Sequence, residues 1–214
     1  MEDMDQSYGY VLYRTRLEGG AGGELNIEGL HDYAQVYLDQ KLIGTLDRRL
    51  AASQLKLPEM AGPATLDILV ENSGRVNFTS VIRGERKGIT GKVTLAGKEP
   101  KHWQIFSLPM DNVAQMHYVL EPCEGPCFKR TTFAASIADT YVDTTTLHKG
   151  MMWINQRPLG RFWSIGPQHT LFVPAPWLHR GLNEIVFFDL LSEPSQPPKT
   201  TDKPIFDRAI AHRE

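Results

Sequence analysis

The 214-residue chain is 41% hydrophobic and 22% charged, the ordinary mixture of a globular protein. Its 23 Lys and Arg against 25 Asp and Glu leave a formal net charge of −2, so no field of one sign is available to hold nucleic acid or an anionic membrane. No run of about 18 apolar residues could span a bilayer, and a complete (β/α)8 barrel of roughly 200–250 residues would leave room for nothing else.

In chain order, Met1–Gln6 carries three acids and no base. It lacks the positive and apolar regions of a secretory signal, and localisation stays open. Tyr8–Leu17 is rich in aromatic and β-branched residues and reads as a strand. The glycine run Gly19-Gly20-Ala21-Gly22-Gly23 then reads as a hairpin loop; a phosphate cradle would need a strand-to-helix context that is missing. Strands are predicted over Ala34–Leu38 and Leu42–Leu46, joined by a tight turn at Asp39–Lys41. Others are predicted over Thr65–Glu71, Gly91–Leu95, His102–Leu108, Phe128–Phe133, Gly150–Ile154, Thr170–Val173 and Asn183–Phe188. Helical periodicity is weak, and Asp111–Leu120 is the one stretch that could form a short helix. Short strands between frequent turn signals predict an all-β antiparallel sandwich.

An internal repeat with an offset of 116 organises the pattern. Arg14-Thr15 matches Arg130-Thr131, and Leu38-Asp39-Gln40-Lys41 matches Ile154-Asn155-Gln156-Arg157. Ile43-Gly44 matches Leu159-Gly160, and Pro58 matches Pro174. At the same offset Leu66-Asp67 meets Leu182-Asn183, Leu69-Val70 meets Ile185-Val186, and Glu71 meets Phe187. The chain is therefore expected to hold two related sandwiches, over 1–112 and 126–195, with a linker at 113–125 and an extended C-terminal tail at 196–214.

The two cysteines, Cys123 and Cys127, stand in a Pro/Gly turn, and seven single histidines are scattered. A zinc site would need two more ligands at recognisable spacing. No metal and no cofactor is expected, and the cysteines read as two free thiols. Arg83-Gly-Glu-Arg-Lys87 reads as a solvated hairpin tip, not a nucleic-acid contact.

Longer motifs carry a resemblance. Tyr8-Gly-Tyr-Val-Leu-Tyr-Arg-Thr15, Leu69-Val-Glu-Asn-Ser-Gly-Arg-Val-Asn77 and Lys87-Gly-Ile89 are similar to segments of the family 35 β-galactosidases. So are Lys149-Gly-Met-Met-Trp-Ile-Asn155, Leu159-Gly-Arg-Phe-Trp163, Gly166-Pro-Gln168 and Leu171-Phe-Val-Pro174. The resemblance covers almost the whole chain. It implies two tandem jelly-roll β-sandwiches of the galactose-binding-like type, which in that family stand behind a catalytic barrel. The implied partners are that barrel, in cis or separately encoded, and galactosides; neither nucleic acid nor a membrane is implied.

A retaining glycosidase needs two carboxyl groups about 5–5.5 Å apart. In the family resembled, both are barrel glutamates, so this chain alone is expected to be inactive, with no catalytic residue of its own. Glu71 reads as a loop or interface anchor. The candidates for carbohydrate or barrel contact are Arg75, Asn77, Phe78 and Trp163. Gly74-Arg75-Val-Asn77 is either a loop whose arginine bonds backbone carbonyls or an interface loop, and Phe78-Thr79 replaces the Tyr and Gly frequent in the family. Asn77-Phe78-Thr79 is also formally a glycosylation sequon. Trp163 is either a packing corner or a surface platform for a sugar ring. Trp153 is expected in the core, and Trp177 in loop packing. A free-standing carbohydrate-binding module and a structural interaction module are the alternatives.

Overall fold

The computed structural model describes residues 1–20, 22–119, 123, 125–191 and 196–207. The chain divides into two compact units, Met1–Asp111 and Asn112–Glu214, each an antiparallel β-sandwich.

The first unit contains β1 (Tyr10–Leu17), β2 (Gly23–Ile27), β3 (Leu30–His31), β4 (Tyr33–Leu38), β5 (Lys41–Asp47), β6 (Gln54–Leu57), β7 (Ala64–Glu71), β8 (Gly88–Ile89), β9 (Val93–Leu95) and β10 (Gln104–Leu108). Five strands form one sheet in the order β10-β1-β7-β4-β5, three form another in the order β6-β2-β9, and β3 pairs with β8. Alternation sends Val11, Leu25, Ile27, Val36, Leu66 and Ile68 into the space between the sheets, where each is fully buried. Burial on that scale is worth about 1.5–3 kcal/mol per large aliphatic side chain.

The glycine run after β1 is not a hairpin loop. β1 and β2 belong to different sheets, so Gly19, Gly20 and Gly22 lie on a crossing between sheets; Ala21 lies outside the described residues. A side chain at Gly22 would overlap the Leu57 and Pro58 carbonyl oxygens, which is why the crossing is made of glycine.

The second unit contains β11 (Cys127–Ala135), β12 (Thr140–Asp143), β13 (Lys149–Ile154), β14 (Arg157–Trp163), β15 (Thr170–Val173), β16 (Gly181–Asp189) and β17 (Lys199–Thr201). The sheets run β11-β16-β13-β14 and β15-β12-β17, and enclose Val142, Met152, Ile154, Val173, Ile185 and Phe187. Trp153 is buried as expected. Of the tail, Lys199–Thr201 adds the third strand of the smaller sheet.

The repeat is structural. β4–β5 and β13–β14 are hairpins turning on Asp39-Gln40 (φ 46° and 67°) and Asn155-Gln156 (φ 46° and 68°). Two successive left-handed residues make the turn whose twist suits a hairpin. Both hairpins carry a bulge at the same place, after Val36 opposite Gly44 and after Met152 opposite Gly160. The offset of 116 fails in the last matched strand, however. Leu38 faces Leu66, whereas Ile154 faces Ile185, so the equivalent of Leu66 is Ile185 and not Leu182. Leu66 is fully buried, while Leu182 is 72% exposed. The loop after β15 is longer than its counterpart by three residues. An odd slip reverses the faces of a strand, and aliphatic runs still match letter for letter across it. The equivalent of Glu71 is consequently Leu190.

Three further expectations are corrected. Within 111–119 the only helical turn is a 3-10 turn at Val113–Gln115; Leu120 lies outside the described residues. Cys123 and Cys127 are not free thiols but a disulfide, because the turn brings their Cα atoms to 6.4 Å. Glu71 is not a loop anchor: it sits 2% exposed on the central strand β7, in register with Tyr10 and Tyr33.

Candidate functional site

After Glu71 the chain leaves the five-stranded sheet, and its next strand begins at Gly88, paired with β3. The intervening loop, 72–87, carries Arg75, Asn77 and Phe78. Its first foot is fixed by Asn72, whose side-chain amide donates to the Ser7 carbonyl (2.9 Å) and whose Oδ1 accepts from the Gly74 amide (2.9 Å). Such side-chain bonds substitute for the missing sheet partners.

The second foot is a buried ionic cluster. Lys87 is 2% exposed, and its Nζ donates to both Asp32 oxygens (2.9 and 2.7 Å) and to Glu85 Oε1 (3.0 Å). Arg48 Nη1 bridges the same two carboxylates at 3.0 and 2.8 Å. The free lone pairs are taken by backbone: the Ser73 amide donates to Asp32 Oδ2 (2.9 Å) and the Val76 amide to Glu85 Oε2 (2.6 Å). Arg75 Nη1 closes the outside, donating to the Glu85 carbonyl (3.0 Å) and pairing with Glu2 Oε1 (2.6 Å). Two cations face two anions, and all four carboxylate oxygens accept hydrogen bonds, which is the condition for burying charge at tolerable cost. The β3–β4 junction, the turn after β5 and both ends of the loop are thereby tied to one point.

The electrostatics of Glu85 and Glu2 run against the role of a glycosidase's general acid. Burial opposes ionisation of Glu85, yet the Val76 amide, Arg48 and Lys87 outweigh it and hold the carboxyl at about 2. Desolvation likewise opposes ionisation of Glu2, and the Lys87 amide and Arg75 outweigh it, again to about 2. A glycosidase acid must hold its proton near neutral pH, through a raised carboxyl pKa. Both groups are shifted the other way.

What this foundation supports is the loop tip. Phe78 is 96% exposed and has φ 70°, and Val81 (57%) and Ile82 (49%) follow on a 3-10 turn at Ser80–Gly84. A bulky residue in the left-handed region is strained, and this one gains no burial within its own unit. Asn77 and Thr79 are exposed beside it. Arg75 fulfils its backbone-bonding reading, donating to Glu85, while also pairing with Glu2.

Trp163 belongs to the second unit. It lies half-buried on β14, in register with Lys149, whose buried ammonium stands 3.8 Å above the ring centroid. That is a cation–π contact occupying one ring face. Trp177 packs in a 3-10 turn, with Arg157 5.7 Å from its centroid and its carbonyl held by Asn155 Nδ2 at 2.8 Å.

The expected hairpin tip at Arg83–Lys87 is corrected: its lysine and glutamate are the centre of the ionic cluster. The sequence shows only alternating charges there. The partners, Asp32 at the β3–β4 junction and Arg48 in the turn after β5, come from distant parts of the chain, and nothing local marks them. No group of three His, Cys, Asp or Glu residues that could hold a metal ion is found among the described residues. None of their helices is long and apolar enough to cross a membrane.

Comparison with known proteins gives two family matches. Residues 1–109 match the family described as β-galactosidase, first all-β domain, and residues 126–183 match β-galactosidase, galactose-binding domain. A β-galactosidase from Xanthomonas manihotis is 39% identical over 175 residues, covering 81% of this chain and 29% of the relative. Human β-galactosidase-1-like protein 3 is 40% identical over 208 residues, covering 93% of the chain and 31% of the relative. The Bos taurus β-galactosidase is 34% identical over 247 residues, with 99% and 37% covered. The chain therefore spans about a third of the length of these curated relatives.

Proposed function

Because the chain belongs to the β-galactosidase family, through its all-β domains, we propose that it is the non-catalytic C-terminal region of a family 35 glycoside hydrolase. Its role is to support a catalytic barrel, in cis or separately encoded, and to contribute to the entrance of that barrel's active site. The observation that carries this reading is the clamped loop. An exposed, strained Phe78 on a loop held by buried charges has no use in the unit's own folding. It suits a rigid contact presented to another domain, since ordering the loop beforehand removes an entropic cost of association.

The reading is tested in two steps. The chain alone, assayed with a chromogenic β-galactoside, is expected to give no turnover; turnover abolished by one carboxylate replacement would overturn the non-catalytic assignment. Mixed with the catalytic domain of the Xanthomonas relative lacking its own all-β region, the chain is expected to co-elute. Phe78→Asp is expected to abolish that complex, and an unimpaired Phe78→Asp complex would remove the loop from the interface.

The second unit favours an additional role, contact with galactosides. Its matched family is described as a galactose-binding domain, and sugar faces stack well on aromatic rings. Calorimetric titration of the chain with galactose and galacto-oligosaccharides tests it. Absence of heat at millimolar ligand would leave the barrel-supporting role standing alone.

A further inference from the structure

The duplication supplies an internal control for what the second sandwich requires of its sheet. In the first unit β2 and β6 place Leu25 opposite Leu55, facing the core, and Glu24 opposite Lys56, facing away. In the second unit the same positions on β12 and β15 are Val142 opposite Leu171, facing the core, and Tyr141 opposite Phe172, facing away. The inward pair is aliphatic in both copies, because the core demands it. The outward pair is charged in one copy and aromatic in the other. The fold is therefore indifferent to aromatic residues there, and an outward Glu–Lys pair is the ordinary solvated solution.

The aromatic pair is built as a surface. Phe172 is 47% exposed, and its ring centroid lies 5.5 Å from that of Tyr141 at an interplanar angle of 59°. The strand register sets Thr201 of β17 beside Tyr141 on the same row. The next row on this face places Lys199 opposite Asp143. The tail bounds the patch at one end, where the Ile205 amide donates to Thr170 Oγ1 (3.2 Å). Two aromatic rings thus share the outer face of a three-stranded sheet with Asp143 and Lys199; Asp143 Oδ1 is held by the Thr145 amide and hydroxyl (2.8 and 2.7 Å), which leaves Oδ2 to face a ligand, and the Thr201 hydroxyl is engaged with Lys203. The rings suit the apolar face of a pyranose, and the polar row suits its hydroxyls. The two charges sum to zero, so the row carries no net charge that would select a charged ligand.

We propose that Tyr141 and Phe172 form a saccharide-stacking platform on the outer face of the β15-β12-β17 sheet, with Asp143 and Lys199 orienting a neutral galactoside. Galactopyranose is the fitting class because its axial 4-hydroxyl leaves C3–H, C4–H and C5–H on one uninterrupted apolar face. The inference rests on the proposed galactoside contact of the second unit and gives that contact a location distinct from Trp163.

The test uses the whole chain and borrows its design from the duplication. Saturation-transfer NMR and calorimetry are run with methyl β-galactoside, with methyl β-glucoside as comparison. The variants are Phe172→Ala and the double replacement Tyr141→Glu with Phe172→Lys, which installs the first unit's own pair. The wild-type chain is expected to bind the galactoside in the millimolar range, more strongly than the glucoside. Either variant should weaken binding at least tenfold, with circular dichroism unchanged. Binding that survives in the folded double variant would overturn the platform and leave the galactoside contact elsewhere in the chain. Binding absent from the wild-type chain would overturn both the platform and the galactoside contact, leaving the barrel-supporting role untouched. Equal binding of the two sugars would overturn the assignment to galactosides.

Discussion

Replacing Lys87 by Met removes the centre of the ionic cluster while nearly preserving volume. Three charge-assisted hydrogen bonds of 2.7–3.0 Å disappear. The side chains of Asp32 and Glu85 are only 14% and 3% exposed, so water cannot replace the ammonium without opening the loop. Breaking a buried pair by removing one partner costs about 3–5 kcal/mol. Arg48 still bridges both carboxylates and is itself 38% exposed, which places the cost at the lower end, about 3 kcal/mol. With a urea slope of about 1.5–2 kcal/mol/M for a unit of this size, the midpoint of the first unit should fall by about 1.5–2 M. Circular dichroism should show the second unit's transition unmoved. The pH dependence has a definite sign. The folded Glu85 carboxyl lies at about 2, below its ordinary 4.5. Its stabilisation is therefore present above 4.5 and lost as the pH falls towards 2. The penalty of Lys87→Met should accordingly be full at pH 7 and shrink through that window. A penalty under about 1 kcal/mol, or one constant between pH 7 and pH 2, would refute the cluster as the loop's anchor.

Asn155→Ala should destabilise the second unit by about 3 kcal/mol, since it forces alanine to a φ of 46° and removes bonds to Trp177, Asn183 and Glu184. Asp39→Ala, which loses one such bond to the Thr65 amide, should cost roughly half as much in the first unit, and equal urea midpoint shifts would contradict this. Gly150→Ala should prevent the second unit from folding, because the added methyl would overlap the Phe188 carbonyl oxygen of the paired strand; a native-like spectrum would refute it. Cys123→Ser should lower stability by no more than about 2 kcal/mol, because the disulfide closes a very short loop, and a larger loss would point to a role beyond cross-linking.

The hairpins at Asp39 and Asn155 were legible because a turn is specified locally. Two residues able to adopt left-handed angles, followed by a glycine at the bulge, write the same geometry twice. The core was legible for a similar reason, since alternation marks one face of each strand. The register of β16 was not. Leu182 and Ile185 are both aliphatic, and only the length of the loop after β15 decides which one lies inside. The crossing from β1 to β2 was not legible either, because a glycine run signals a turn without indicating whether the next strand joins the same sheet. The site was legible in part. Arg75, Asn77 and Phe78 stand out as an unusual loop, while the Asp32–Arg48–Glu85–Lys87 cluster that gives the loop its rigidity was invisible.

The sequence by itself determined that this chain is all-β, duplicated and related to β-galactosidases, because periodicity, turn chemistry and long motifs are properties of neighbouring residues. Only the tertiary structure decided which charges are buried and which aromatics are exposed. Lys87 reads as part of a solvated hairpin tip and is the most enclosed charge of its loop, whereas Tyr141 and Phe172, which alternate with core residues along their strands, face outward. The difference is physical: burial depends on what another strand brings to the same place, and that is fixed by long-range register.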